Sequence, residues 1–526
     1  VNGITADTLA LYKAALAKPS DEIAKTISTG TGLIAYDLQA PAKNLYPVIT
    51  PLRNVIPRVG GGTGTATNWR QVNAIVGSGF DAMGWVPEGQ RSGQMSYSTS
   101  NKSASYVTIG EEDAATYEAI AAGVHFEDIQ ARMTFRLLQK MMLKEEMAIL
   151  AGNAGGSAGG VSLGTPGTPT VSAIANAAST LGTATYYVQV VALTLEGFQN
   201  SGGTPLNTVA GSANSAVTAA SLVATAKSVT GADGKNYTLS GGSSNISALS
   251  AGQAVTSGTN MLAASVAAVS GAVAYAWFVG TTNAAGSGTL QAITTINSVA
   301  ISAPLVTGTQ PASQVTADNS FNASYAYNGL LTTALASGSN AYISTLATGT
   351  AGTGTFLTAS GRGSVVEIDT MFQTMWNNFE LSPTVLYVNA QELKNITTKV
   401  LSNSSGPLLR YDRPADGEGG GEYQLTASGV VAFYYNPFAM NGGLRIPVRI
   451  HPRVPPGTII GWAENLPIQY QSNEVPNVAE VKTRQDYYQI DWPIVTRQRQ
   501  VGVYAESVLA VYAPFAMGVI TNIGNG

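Results

Sequence analysis

The pattern of apolar and polar positions changes character several times along the chain. Two short helices are expected near the start, Ala6 to Ala17 and a second after Ser20, where Asp21 and Glu22 suit the positive end of a helix dipole. Prolines 41, 47, 51 and 57 then predict an extended course, because proline lacks the amide hydrogen that a helix interior needs. From Gln71 a short apolar run leads through Trp85-Val86-Pro87-Glu88-Gly89 into a polar, Ser-rich arm, Gln90 to Ser105. That excursion has no core of its own, so it is expected to become ordered on a neighbouring molecule. Phe126, Ile129, Met133, Leu137 and Met141 recur at three and four and predict one helical stripe within Glu111 to Leu150, with Gly123 a break near its start. Unbroken, it would span roughly 60 Å. Met133, Met141, Met142 and Met147 share or border the stripe and read as core.

Beyond Thr165-Pro166-Gly167-Thr168-Pro169 the signal becomes short β segments, among them Ala184 to Val191 and Ala274 to Val279. Turn residues separate them, which predicts a β-sandwich of immunoglobulin or fibronectin type. Val365 to Phe379 then reads as an amphipathic helix, Thr384 to Val388 as a buried strand and Ala390 to Leu401 as a second helix. Pro407 to Gly421 reads as a Gly-rich loop, and Tyr423 to Ala516 as strands separated by Pro-Gly turns. Helix-strand-helix followed by strands gives an α+β class.

Charge sharpens this division. Only 11% of the 526 residues are charged, and from Asn153 to Gly361 the charged residues are Glu196, Lys227, Asp233, Lys235 and Asp318 alone. Such a boundary marks an inserted module. At this length several domains are expected. The net charge of −4 argues against a free nucleic-acid-binding protein, which would carry a basic face. The absence of cysteine excludes disulfides and thiolate metal sites, and suits a reducing compartment. No run of 18 apolar residues and no basic-then-apolar leader are present, so no membrane span is expected.

Candidate chemistry is sparse. Gly60-Gly61-Gly62-Thr63-Gly64 lacks the Lys and Ser/Thr of a phosphate loop, since Thr65-Ala66-Thr67 follows, and reads as a joint. The two histidines, His125 and His451, lie in no nucleophile motif and read as structural. Asp412, Asp416 and Glu418 lack the order of a calcium loop. Arg445 and Arg449 would share one face of a strand, and Arg453 with them if the strand continued, as a basic row or as a solvated face. No catalytic residue, cofactor or metal site is expected.

The order of Trp85-Val86-Pro87-Glu88-Gly89, the strand-like return Tyr106 to Gly110, and the helix closing on Glu145, Glu146, Ile149, Leu150, Gly152 and Asn153 resembles the major capsid proteins of tailed bacteriophages. Herpesvirus capsids and encapsulins share that fold. Leu45-Tyr46-Pro47, Thr50-Pro51-Leu52 and Ala513-Pro514-Phe515-Ala516 extend the likeness to about two thirds of the chain. The resemblance implies an N-terminal arm (1–57), an extended loop (58–110), a spine helix of a peripheral domain (111–160), a return to that domain (315–364), an axial domain (365–500) and a C-terminal segment (501–526). An immunoglobulin-like insertion (161–314) is expected to fold independently on the outer face and to be dispensable.

It implies a non-enzymatic homo-oligomer of hexamers and pentamers enclosing double-stranded DNA, assembled in a host cytoplasm, with portal and scaffold or decoration proteins as further partners. The start at Val1 fits either methionine removal or loss of a scaffolding segment by cleavage. Trp85, Glu88, Lys102, Arg445, Arg449 and Arg453 are the expected assembly contacts. Lys102 is the only lysine of the loop, without an identifiable asparagine and glutamate for the isopeptide bond some relatives form. An encapsulin shell, or a β-rich surface adhesin, is the alternative.

Overall fold

The computed structural model describes residues 49–76, 85–91, 96–123, 128–201, 222–231, 233–360, 363–402, 409–412, 424–427, 431–439, 443–466 and 477–526, with positions 10 and 13. Both helices expected before residue 40 lie outside these residues except at Ala10 and Lys13, which are helical. The described chain starts with a short helix, α1 (Pro51–Val55), where extended backbone was expected. Pro51 sits in its first turn, where the missing N–H would have no intrahelical partner, so proline there starts a helix rather than forbidding one.

β1 (Arg58–Val59) leads to a long hairpin of β2 (Ala66–Val76) and β3 (Ser96–Ser105), and then to β4 (Val107–Thr116). The helical reading from Glu111 is therefore corrected as far as Thr116. Those residues pair antiparallel with β24 (Gln498–Val511), and sheet hydrogen bonds override the local pattern. Helix follows as α2 (Tyr117–Gly123) and the spine, α3 (Ile129–Ala151). Asp128 caps α3 by accepting from the amides of Gln130 and Ala131 at 3.0 and 3.1 Å. Met133, Leu137 and Met141 are buried against Ala115, Val501, Val503 and Ala505, each side chain contributing about 1.5–3 kcal/mol.

The expected insert, residues 161–314, carries β5 (Thr170–Ala175), β6 (Ala184–Leu193), helix α4 (Leu195–Asn200), an exposed hairpin of β7 (Lys227–Thr230) and β8 (Asn236–Leu239), then β9 (Gln253–Val255), β10 (Asn260–Ser265), β11 (Ala274–Gly280), β12 (Thr289–Thr294) and β13 (Ser298–Ile301). Apart from the exposed hairpin these strands form two antiparallel sheets, ordered β12-β11-β6-β9 and β13-β10-β5. Trp277 fills the interior and donates its indole N–H to Thr294 at 2.8 Å. Beyond β9 the edge of β6 is completed by serines three residues apart. The hydroxyls of Ser244, Ser247 and Ser250 accept from the amides of Ala192, Val190 and Val188 at 2.8–2.9 Å, and their own amides donate to the same residues' carbonyls. Spaced three apart, these serines take the place of a paired strand along that edge.

Helix α5 (Leu330–Leu335) and β14 (Tyr342–Thr345) follow, then a small pair, β15 (Ala359–Ser360) and β16 (Ser364–Val365). Helix α6 (Val366–Phe379), β17 (Val385–Val388) and helix α7 (Ala390–Ser402) fall where the pattern places them. The remaining strands are β18 (Leu409–Asp412) paired with β19 (Gln424–Ala427), β20 (Phe433–Asn436), β21 (Leu444–Ile450), β22 (Ile459–Trp462), β23 (Ala479–Asp491), β24 and β25 (Met517–Thr521). A six-stranded mixed sheet, β14-β25-β22-β17-β21-β20, carries α6 through Ile368, Met371, Phe372 and Met375. A second sheet, β1-β23-β24-β4, carries the spine helix. The boundary expected at residue 500 falls inside β24, whose sheet belongs with the spine, while β25 returns to the six-stranded sheet.

The insert is stitched to its host at both ends. Buried Asn153 donates to the carbonyls of Val161 and Ser320, both at 2.8 Å, and accepts from the amides of Gly155 and Val161, closing entry and exit together. At the far side Asn297 and Asn522 bond each other, the Asn297 amide donating to Asn522 Oδ1 at 2.8 Å and Asn522 Nδ2 to Asn297 Oδ1 at 3.0 Å. One apolar cluster runs from Leu52 and Leu150 through Val190 and Trp277 to Trp462 and Phe515. Independent folding of the insert meets a core shared with its host.

Candidate assembly surfaces

The acidic pair Glu145-Glu146 lies near the C-terminal end of the spine helix, where the helix dipole disfavours negative charge, so both carboxylates need partners. Glu146 is fully buried and accepts from the amides of Leu52 at 3.0 Å and Arg53 at 2.8 Å, the open N–H groups of α1. Its third partner is His451, also fully buried, with Nε2 2.6 Å from Oε1. The Arg453 amide donates to His451 Nδ1 at 3.1 Å, which leaves Nε2 as the protonated nitrogen facing Glu146.

Glu145 meets Arg53 at 2.7 Å and bonds Arg58 and the Tyr487 hydroxyl, and Arg58 also pairs with Asp486. Both guanidiniums lie over the Tyr487 ring, 5.2 and 5.4 Å from its centroid. Burial alone would lower the pKa of Arg58, and its bonds to Asp486 and Glu145 more than offset that. Burial and the adjacent Glu145 push the Tyr487 phenol well above its ordinary range. The segment leaving the N-terminal region is thus clamped to the spine, to β23 and, through His451, to the six-stranded sheet. The sequence signal was an adjacent acidic pair inside an apolar helix end, and it gave no partner.

Among the described residues the β2–β3 ribbon forms a two-stranded sheet of its own, paired from Ala66↔Ser105 to Val76↔Ser96, with a bulge between Val72 and Ala74. Its base is fixed by the Trp69 indole donating to the Val511 carbonyl and the Val72 amide donating to that of Tyr512, both at 3.0 Å. Lys102 lies opposite Trp69 in this anchored part, half-buried, with its amine beside Gly159, so it belongs to the root of the ribbon rather than its tip. Trp85 is 87% exposed, and Glu88 beside it is exposed. Within the single chain the Trp85 indole is left open to solvent.

Arg445 and Arg449 project from the exposed side of β21, alternating with buried Ile446 and Val448. Arg445 lies 3.6 Å over the Phe433 ring and Arg449 is 3.8 Å from Glu464. Arg453 stands in the turn after the strand and does not extend the row. The Gly60–Gly64 joint is packed: the Gly62 amide donates to the Thr483 carbonyl and Arg484 donates to that of Gly64. His125, Asp416 and Glu418 lie outside the described residues, and Asp412 closes β18. Among the described residues no group of three or more His, Asp or Glu is placed to hold a metal ion, and no helix is long and apolar enough to cross a membrane.

No family model matches the chain, and no curated protein matches it. Solved structures do. The chain is similar to the capsid of an empty GTA particle, at 8% identity over 95% of this chain and 99% of that one, with a TM-score of 0.40. It is similar to the capsid of the cyanophage P-SCSP1u at 8% identity over 97% and 99%, with a TM-score of 0.37. A shorter match, 14% identical over 38% of this chain and 57% of that one, is to the holo-SrpI encapsulin complex from Synechococcus elongatus, with a TM-score of 0.22.

Proposed function

We propose that this chain is the major shell protein of a tailed-phage capsid, which assembles with copies of itself into hexamers and pentamers around double-stranded DNA. The observation that carries the reading is the ribbon: two strands of 11 and 10 residues, paired only with each other, leading to an aromatic side chain left 87% exposed. At ~3.3 Å per residue the ribbon is about 33 Å long, of which about 13 Å extends beyond the anchoring bond at Val72. A soluble monomer has no use for so long a polar projection with a bare indole beyond it, whereas a closed shell needs each subunit to hold several neighbours. The clamp at Glu145 and Glu146 fixes the direction in which the N-terminal segment leaves the subunit, which suits a strap across a neighbour. The insert, read as an immunoglobulin-like sandwich, faces outward and its near-neutral surface has no footprint for phosphate.

Electron microscopy of the expressed protein, with nuclease protection of any enclosed DNA, tests this reading. Closed particles are expected from the full chain and open, soluble subunits from a chain lacking residues 77–95. A monodisperse monomer under all assembly conditions, or closed shells formed without those residues, would overturn it. Particles that exclude DNA and retain a protein cargo would support the encapsulin alternative instead.

A further inference from the structure

A cleft of about 220 Å³ opens where the start of β4, the last turns of the spine helix and the segment Asn322 to Tyr327 meet helix α4 of the insert. Val107, Ile109, Met147 and Ala148 give it apolar walls, and Tyr325, half of whose surface is open, stands at its rim. Two charged side chains reach it. Lys144 is already committed, to Glu111 and to the Gly110 carbonyl at 3.0 Å. Glu196 is not: among the described residues nothing donates to its carboxylate, and burial holds its carboxyl above the ordinary range. An apolar cleft with one unmet acceptor fits an apolar body that carries an N–H donor.

The described surface offers one group of that kind in abundance. Trp85 is the most exposed aromatic side chain, and its indole combines a large apolar face with one N–H. In its own chain it stands outside the cleft, 87% exposed.

We propose that the cleft receives the Trp85 side chain of a second copy of this chain, its ring against Val107, Ile109 and Met147 and its Nε1–H donating to the Glu196 carboxylate. This rests on the shell reading and adds to it the receiving site. Because α4 belongs to the insert, the insert then supplies one wall of the contact and takes part in the lattice.

The chain has no cysteine, so single cysteines report the contact cleanly. Chains carrying Val86→Cys, which keeps Trp85, are co-assembled with chains carrying Tyr325→Cys at the cleft rim, oxidised mildly and run on a non-reducing gel. A disulfide-linked dimer of the two chains is expected, at least tenfold above that given by Val86→Cys with Phe135→Cys, a control on the exposed side of the spine helix. Glu196→Gln in the Tyr325→Cys chain should lower the yield severalfold. Particles that form without the cross-link, with equal cross-linking to Phe135→Cys, or with yield indifferent to Glu196→Gln overturn the cleft while leaving the shell standing. If the unaltered chain forms no particles, the shell reading falls and the cleft proposal with it.

Discussion

Replacing Glu146 by Ala removes one carboxylate and strands three donors at once. The amides of Leu52 and Arg53 and the His451 ring nitrogen all point at it inside a region closed to solvent. Each unsatisfied buried donor costs about 1–3 kcal/mol, and removal of one member of a buried charged or hydrogen-bonded group is typically ~3–5 kcal/mol in total, because neighbouring groups relax. A loss of about 3–5 kcal/mol is expected here, a large share of an ordinary stability of ~5–15 kcal/mol. With a urea dependence near 3 kcal/mol per molar, the unfolding midpoint of soluble subunits should fall by about 1–1.7 M. Glu146→Gln keeps the shape and one acceptor and should cost roughly half as much. The effect should also be local: protease cleavage between residues 40 and 60 should accelerate in the variant, since α1 loses the acceptor of its open amides. His451→Ala combined with Glu146→Ala should show a coupling of at least ~0.5 kcal/mol. An unchanged midpoint for Glu146→Ala, or strictly additive effects in the double variant, would refute the reasoning.

Glu392 is fully buried and accepts from the Gly457 amide at 3.0 Å, with Asn395 and Gln391 beside it, and burial pushes its pKa up to about 7. The folded chain keeps a proton there that the unfolded chain has lost, so stability should fall as pH rises from about 4.5 to 7 and level off above; Glu392→Gln should flatten that window and add on the order of 2–3 kcal/mol at pH 8, read by denaturant titration across pH. Asn297→Ala should cost about 2–4 kcal/mol through its lost side-chain bonds to Asn522, Val266 and Thr348, and Asn522→Ala should cost less in that background than alone, because the bond between the two side chains is already gone; full additivity by calorimetry would contradict a shared unit. Excision of residues 165–317 behind a Gly-Ser joint should yield aggregated chain, since it bares the core the insert shares with its host; soluble particles of normal size would argue against that. Gly242→Ala should destabilise by at least ~3 kcal/mol, because a methyl group there would stand 2.2 Å from the Gly197 amide nitrogen at a positive φ, and an unaltered melting temperature would sink this.

Local pattern made some elements legible and left others hidden for definite reasons. Helices α6 and α7 and strand β17 carry their apolar periodicity within one element. Glu111 to Thr116 read as helix because the partner that makes it a strand lies nearly 400 positions away, a pairing that no window of sequence contains. The serine ladder at 244, 247 and 250 has a period of three, which neither the helical nor the strand template detects. The clamp was hidden differently: Glu146, Arg53 and His451 are ordinary alone and become a unit only when three distant segments meet. Trp85 was visible as an oddity, an aromatic at the edge of a polar excursion, and the cleft that suits it was not, since its walls come from four separate stretches.

The way the ribbon is mounted makes it a lever. Its base is hydrogen-bonded to Val511 and Tyr512 at the end of β24, so it has no hinge of its own there and turns with the sheet that carries the spine helix. With an arm of about 13 Å beyond Val72, a 10° tilt of that sheet sweeps the distal end through roughly 2 Å. In the proposed shell, small angular differences between neighbouring subunits would be magnified at the tip. A single sequence can then meet a flat and a curved neighbourhood by a slight change of pitch at the root, with no refolding at the tip.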